Sequence, residues 1–414
     1  MNERPELLAP AGSFAKLKAA LHFGADAVYL GGKNFSLRAQ ADNFTAEELK
    51  EAVSYAHARG KKVYVTANIF AKNADFPALA DYFRYLSEIG ADAALVTDAG
   101  AFALARQVAP NLPLHLSTQA NTTNGHASKF WQQQGAARVV LARELSLAEI
   151  SEIHTMCPGL ELEAFVHGAM CISYSGRCLL SNYLAGRDSN RGACVQACRW
   201  KYSVRPLQDG AEQDECSADG ARGCGFAGGY SAEEDARGTY IFNSKDLNML
   251  PYLSDLRRAG VCSFKIEGRM KSIYYLATVV NAYRRVLDGT LDLAAAQAEL
   301  CKVAHREYTV AYALGENAHT VAYGDSQAAG THEYIADVLE GGEAPLVQMR
   351  GRFRAGDELE VLSPSENFNR RFTVAQMCGE DGAPVEDAKL VMQKLRLRTP
   401  FALREGDILR RAAK

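Results

Sequence analysis

The chain has 414 residues, 48% of them hydrophobic and 23% charged, with a formal net charge of −3. This is the profile of a globular protein with two or three domains, or one large barrel with an appendage. The overall charge gives no general attraction to polyanions, and no stretch approaches the roughly 18 uninterrupted apolar residues of a membrane span. The opening MNERPELLAPAGSF lacks a charged region followed by an apolar one, so a cytoplasmic protein is expected. In that compartment the ten cysteines read as metal ligands, reactive thiols or core residues rather than disulfides.

The first 170 residues alternate short apolar runs with runs of helical period. The expected strands are Leu7–Ala9, Ala27–Leu30, Val63–Asn68, Ala94–Asp98, Leu114–Gln119, Val139–Ala142 and Leu162–His167. Between them lie helices such as TAEELKEAVSYAHARG, where Thr45 and Glu48 have the spacing of a capping box and Gly60 can end the helix. Three segments starting at Gly24, Gly90 and Gly135, and a fainter fourth at Gly260, repeat one shape: a glycine, then a strand a few residues later. Glycine suits that corner because the position after a helix often needs positive φ. With an eighth strand at Ser263–Glu267, the alternation predicts an α/β (βα)8 TIM-like barrel over residues 1–315; an open doubly wound sheet is the alternative.

Residues 208–238, rich in Gly, Asp and Glu and containing Cys216 and Cys224, read as an insertion. Helical period resumes in SIYYLATVVNAYRRVLDG and LAAAQAELCKVAHREY. From about residue 325 short alternating runs separated by Gly-Asp and Gly-Gly turns predict a small C-terminal all-β barrel domain over 325–414. Its expected strands are Tyr334–Leu339, Leu346–Met349, Glu358–Val361, Phe372–Gln376 and Lys394–Arg398.

Where the seventh strand ends, Cys171, Cys178, Cys194 and Cys198 follow in the spacing C-x6-C-x15-C-x3-C. Three readings stay open: buried thiols, structural zinc, or an iron–sulfur cluster. Zinc prefers close C-x2-4-C pairs, and only the second pair here is close. A cluster is larger and tolerates wider spacing, and Arg177, Arg187, Arg191 and Arg199 among the thiols would offset its negative charge. Cys157, Cys262, Cys301 and Cys378 read as core or incidental residues.

The same C-terminal rim, where barrel active sites sit, collects Asn68, Asp98, Gln119, Arg143, His167, Lys265, Glu267 and Arg269. Asp98 also suits a helix N-cap. In KIEGRMKS, Lys265 and Glu267 are two apart and would share a strand face. They serve either an anionic substrate and proton transfer or an ion-pair layer inside the barrel. Lys245 and Asp246 of NSKDL lie just before the last strand. G-x-S-x-G, H-E-x-x-H and Walker patterns are absent from the sequence.

ELLAPAGSFAKLKAALHFGADAVYLGG, EAFVHGAMCISYSGRCLLSNYLAGRDSNRGACVQACRWKY, YIFNSKDL and SFKIEGRMKSIYYLATVVNAYRR, in this order, resemble the peptidase family U32 proteins, the collagenase-like peptidases. The branch with a small C-terminal β-domain is similar to the tRNA uridine hydroxylases, which make 5-hydroxyuridine at the wobble position with prephenate as a required metabolite. A related branch hydroxylates a cytidine of ribosomal RNA. The resemblance implies a barrel, a [4Fe–4S] cluster on Cys171, Cys178, Cys194 and Cys198, prephenate as co-substrate and tRNA as partner, with rRNA as the alternative. Within that frame His167, Lys265, Glu267 and Arg269 are the expected catalytic residues, and Asn68, Gln119, Arg143 and Arg177 the expected contacts to cofactor or co-substrate. Lys201, Arg205, Arg257, Arg258, Lys271, Arg284 and Arg285 are candidates for phosphate contacts. A peptidase remains the other reading, without a visible nucleophile–base pattern to support it. The insertion 208–238 departs from the family pattern.

Overall fold

The computed structural model describes residues 4–37, 43–174, 177–200, 243–315, 320 and 329–413, with the backbone of 203–206 and 230–233. Most of the 208–238 insertion, including Cys216 and Cys224, and the side chains of Lys201 and Arg205 lie outside the described residues.

Eight parallel strands form the first domain: β1 (Glu6–Pro10), β2 (Ala27–Gly31), β3 (Lys62–Ala67), β4 (Ala93–Val96), β5 (Leu114–Leu116), β6 (Arg138–Val140), β7 (Glu161–Ala169) and β8 (Val261–Ile266). Each pairs with the next, and β8 pairs with both β7 and β1, Val261 opposite Leu162 and Ser263 opposite Glu6. That second pairing closes the ring, so the sheet is a barrel and not an open one.

The strands are nearly continuous Val, Leu and Ala because both faces are covered. Around them run α1 (Phe14–His22), α2 (Ala46–His57), α3 (Phe76–Glu88), α4 (Ala99–Val108), α5 (Gly125–Gln133), α6 (Leu147–Met156), α8 (Leu253–Arg258), α9 (Ile273–Leu287) and α10 (Leu293–Leu300), with the short α7 (Leu180–Ala185) in the rim segment. The Thr45–Glu48 capping box forms in both directions, and Gly24, Gly90, Gly135 and Gly260 have φ between 75° and 104°. At Gly24 a side chain is excluded twice over, because a Cβ would also lie 2.5 Å from Arg284 Cγ.

Several strands end earlier than their apolar runs suggest. Asp98 accepts a hydrogen bond from Ala101 N–H at 2.9 Å and caps α4, and Thr118–Ala120 forms a 3-10 turn. The rim residues thus leave the ladder to shape loops. LAAAQAELCKVAHREY stays helical only to Leu300. A short strand, Asp246–Asn248, pairs antiparallel with the end of β7.

The C-terminal region is an antiparallel sheet of seven strands in the order Arg371–Thr373, Glu358–Leu362, Ile408–Ala412, His332–Glu340, Leu346–Met349, Lys394–Leu397, Met377–Gly379. It surrounds its own core, which includes Ile335, Val347, Phe353, Val361, Leu395 and Leu409. The two domains are tied by buried polar groups. Arg285 donates to Ser363 O at 3.2 Å and to Ser365 O at 2.8 Å, and Arg410 bridges Glu299 of α10 and Glu360 of the sheet, each at 2.7 Å. Arg284 is held by Asp26 and Asp288. Arg284 and Arg285, expected on an RNA-facing surface, therefore serve packing instead.

Candidate active site

The barrel interior has two layers. The lower one is an ion-pair layer. Glu163, fully buried on β7, accepts from Lys265 Nζ at 2.6 Å and from Arg138 at 3.0 Å. Arg138 also binds Glu6 at 2.7 Å and Glu161 at 2.6 Å, and Tyr64 donates to Glu6 at 2.6 Å. Burial alone would raise the Glu163 carboxyl, but Lys265 and Arg138 outweigh it and hold the group at about 2. His115 packs edge-on to Tyr64 in this layer, and burial lowers its imidazole to about 3. Lys265 is the roof of the layer, with its ammonium 4.5 Å from the Tyr29 ring centre.

Above it opens a cavity of about 250 Å³. The cavity is lined by Asn68, Gln119, Arg143, Lys265, Glu267 and Arg269 from the strand ends, and by all four thiols of Cys171, Cys178, Cys194 and Cys198. The thiols come from one excursion between β7 and α8. Arg191 anchors it by donating to Phe70 O at 2.7 Å and pairing with Asp75 at 2.9 Å. Ser189 donates to Cys178 O at 2.6 Å, and Val195 N–H donates to Ser181 Oγ at 3.1 Å. Gln196 N–H points at Cys194 Sγ at 3.4 Å.

Cys171 is exposed and the other three thiols are partly buried. Burial, reinforced by the other three thiols and opposed by Arg199, pushes the Cys198 thiol up to about 11. Among the described residues no three His, Cys, Asp or Glu side chains form a ready ligand set for a metal ion. What the excursion provides is four soft donors facing one cavity.

Glu267 follows the last strand residue. Its carboxylate lies 3.4 Å from Tyr29 OH and 3.9 Å from Arg143. Arg143 stacks 3.9 Å over Phe165 and donates to Ala169 O at 2.9 Å. Arg269 is buried and donates to Ser36 Oγ at 2.7 Å and to Asn43 Oδ1, so it ties its loop to the β2 side of the rim. Two of the expected residues lie elsewhere. Arg177 is exposed, bonded to Asn121 Oδ1 at 2.6 Å.

His167 is buried behind β7, its ring among Tyr275, Tyr283 and Tyr308, with Nδ1 3.3 Å from Tyr283 OH. A register shift between Phe165 and His167 opposite Lys265 and Ile266 breaks the alternation that would have turned it inward. Burial lowers its imidazole to about 3.

In the sequence Lys271 is only a candidate phosphate contact and Arg199 a neighbour of the thiols. Both line the cavity, and burial lowers both, against the attraction of Asp246. Asp246 is itself buried and held by Arg306, whose Nε donates to it at 3.1 Å. The signal for Arg199 and Lys271 was adjacency: one follows Cys198 directly and the other lies two residues past Arg269.

The pattern of peptidase family U32 matches residues 12–322, and that of its C-terminal domain matches 330–410. The chain belongs to peptidase family U32. It is 39% identical to tRNA hydroxylation protein P1 of Bacillus subtilis (strain 168), over 99% of this chain and 96% of that protein. It is 35% identical to the 23S rRNA 5-hydroxycytidine C2501 synthase of Escherichia coli (strain K12), over 70% of this chain but 40% of that protein. It is 30% identical to a protein named Collagenase from Porphyromonas gingivalis (strain ATCC BAA-308 / W83), over 87% of each. Among the described residues no helix is long and apolar enough to cross a membrane.

Proposed function

We propose that this chain hydroxylates tRNA, and more finely that it forms 5-hydroxyuridine at the wobble position with a [4Fe–4S] cluster and prephenate. The end-to-end match to a tRNA hydroxylation protein carries the coarser statement. The finer one is supported by the donor set. Cys171, Cys178, Cys194 and Cys198 would hold the cluster, which supplies one-electron redox chemistry when bound. Arg199 beside Cys198 offsets the negative charge of such thiolates.

The chain's own residues have the chemistry for the rest. Arg143 and Lys271 are cations on the cavity wall suited to the two carboxylates of prephenate. Glu267, within reach of Tyr29 OH, is the carboxylate that would take a proton. Lys265, bonded to Glu163, closes the cavity floor, and Arg269 positions the Glu267–Lys271 loop. The peptidase reading lacks a nucleophile–histidine pair: no histidine lines the cavity among the described residues, and His167 lies behind β7. The test is nucleoside mass spectrometry of tRNA from a deletion strain. We expect 5-hydroxyuridine to vanish, to return with the wild-type gene, and to stay absent with Cys198→Ala. Unchanged 5-hydroxyuridine in the deletion strain overturns the reading.

A further inference from the structure

An enzyme that takes a pyrimidine out of a loop must tell uracil from cytosine at the 4-position, a carbonyl acceptor in one and an amino donor in the other. One pair of cavity side chains is fixed in the orientation this requires. Leu37 N–H donates to Asn68 Oδ1 at 3.3 Å. A backbone N–H only donates, so the Asn68 oxygen faces Leu37 and its NH2 faces the other way. That NH2 donates to Gln119 Oε1 at 3.1 Å, and the single Thr97 hydroxyl proton is shared between the same oxygen and Asn68 O, each at 3.3 Å. Gln119 therefore has its acceptor atom held by the Asn68 NH2, and its own NH2 is left as a donor on the cavity wall. Neighbouring hydroxyls are engaged elsewhere: Thr118 donates to Leu141 O at 3.0 Å and Thr66 to Ser36 Oγ at 3.1 Å. At the mouth, Tyr174 and Met270 line the cavity yet are 47% and 49% exposed, which gives an entering base apolar surface to stack on.

We propose that Gln119 is a specificity-determining residue, its amide NH2 donating to O4 of uracil and opposing the 4-amino group of cytosine, with Asn68 and Thr97 as positioning residues. The inference rests on the tRNA reading above and adds to it the base that the site selects. One mismatched donor in a desolvated site costs a factor on the order of ten in affinity.

The experiment measures binding of fluorescein-labelled anticodon stem-loops, identical except for U or C at the wobble position, to the full chain isolated anaerobically. Wild type is expected to favour the U loop by roughly tenfold. Gln119→Glu keeps an oxygen for Asn68 and Thr97 but replaces the NH2 by a second oxygen, so the preference should vanish or invert. Tyr174→Ala should weaken both loops equally and leave the ratio intact. Equal binding of both loops by wild type, binding of neither loop, or an unchanged ratio in Gln119→Glu overturns the proposal. Loss of 5-hydroxyuridine in the deletion strain without any U-over-C preference sinks this inference alone, whereas retention of the nucleoside sinks the reading beneath it.

Discussion

The floor of the barrel and its rim are built on opposite principles. On the floor, the buried Glu163, Arg138 and Lys265 and the partly buried Glu6 are bonded to one another through contacts of 2.6–3.0 Å. Every charge there already has its counter-charge within the protein. At the rim, four thiols and the cations Arg143, Arg199 and Lys271 face a shared space. A saturated layer holds shape, and an unsaturated one has chemistry left to offer a ligand. The two lie in one barrel and meet at Lys265, yet substitutions in each should fail in different ways.

The largest expected effect belongs to the floor. Glu163→Ala leaves Lys265 and Arg138 buried without their common partner, and breaking such a pair costs about 3–5 kcal/mol. Urea unfolding of the variant should show an unfolding free energy lowered by that amount. A loss below about 1 kcal/mol would mean the layer is wetter than its burial suggests.

Acid comes next. His115 and His167 are held near 3 in the folded chain against 6.5 unfolded, so the folded state favours their neutral forms. The stability this contributes is present above pH 6.5 and is lost as pH falls towards 3. By pH 4 the loss is about 3 kcal/mol per histidine. Glu163, held at about 2 against 4.5, adds its own loss between pH 4.5 and 2. Unfolding midpoints should fall steeply between pH 6.5 and 4, and His167→Gln should make that slope shallower. A flat profile would show that these imidazoles are solvated.

The domain junction is a smaller case. Arg285→Ala removes two hydrogen bonds to Ser363 and Ser365 carbonyls, and the thermal midpoint should drop by the equivalent of about 1–2 kcal/mol. An unchanged midpoint would mean that the junction is held by the Glu299–Arg410–Glu360 network alone.

What could be read from the sequence follows the same division. The barrel was legible because its rules are local: a capping box at Thr45, a helix-ending glycine at Gly24, an apolar run after each. The thiols were legible because they are close in sequence and land on one cavity. Pairings across the chain were not. Nothing near Glu163 announces that Lys265 and Arg138 will meet there, 102 and 25 residues away. His167 fails for a subtler reason: one register shift in β7 reverses the face, and alternation cannot anticipate a bulge. Arg284 and Arg285 look like a solvated basic pair until Asp26 and the Ser363–Ser365 carbonyls arrive from distant parts of the chain.

The smallest effect on stability should come from the residues proposed to hold the cluster. Cys194 is partly buried, its sulfur near Gln196 N–H, and serine is close to it in size. Cys194→Ser should therefore leave the metal-free chain within about 0.5 kcal/mol of wild type. It should also abolish the iron and acid-labile sulfide of anaerobically isolated protein, since a cluster deprived of one thiolate is held poorly. Melting the chelator-treated proteins side by side and assaying iron in the untreated ones separates the two effects. Wild-type iron content in the variant would remove Cys194 from the ligand set. A metal-free melt as depressed as that of Glu163→Ala would place Cys194 with the floor, among groups that hold the fold.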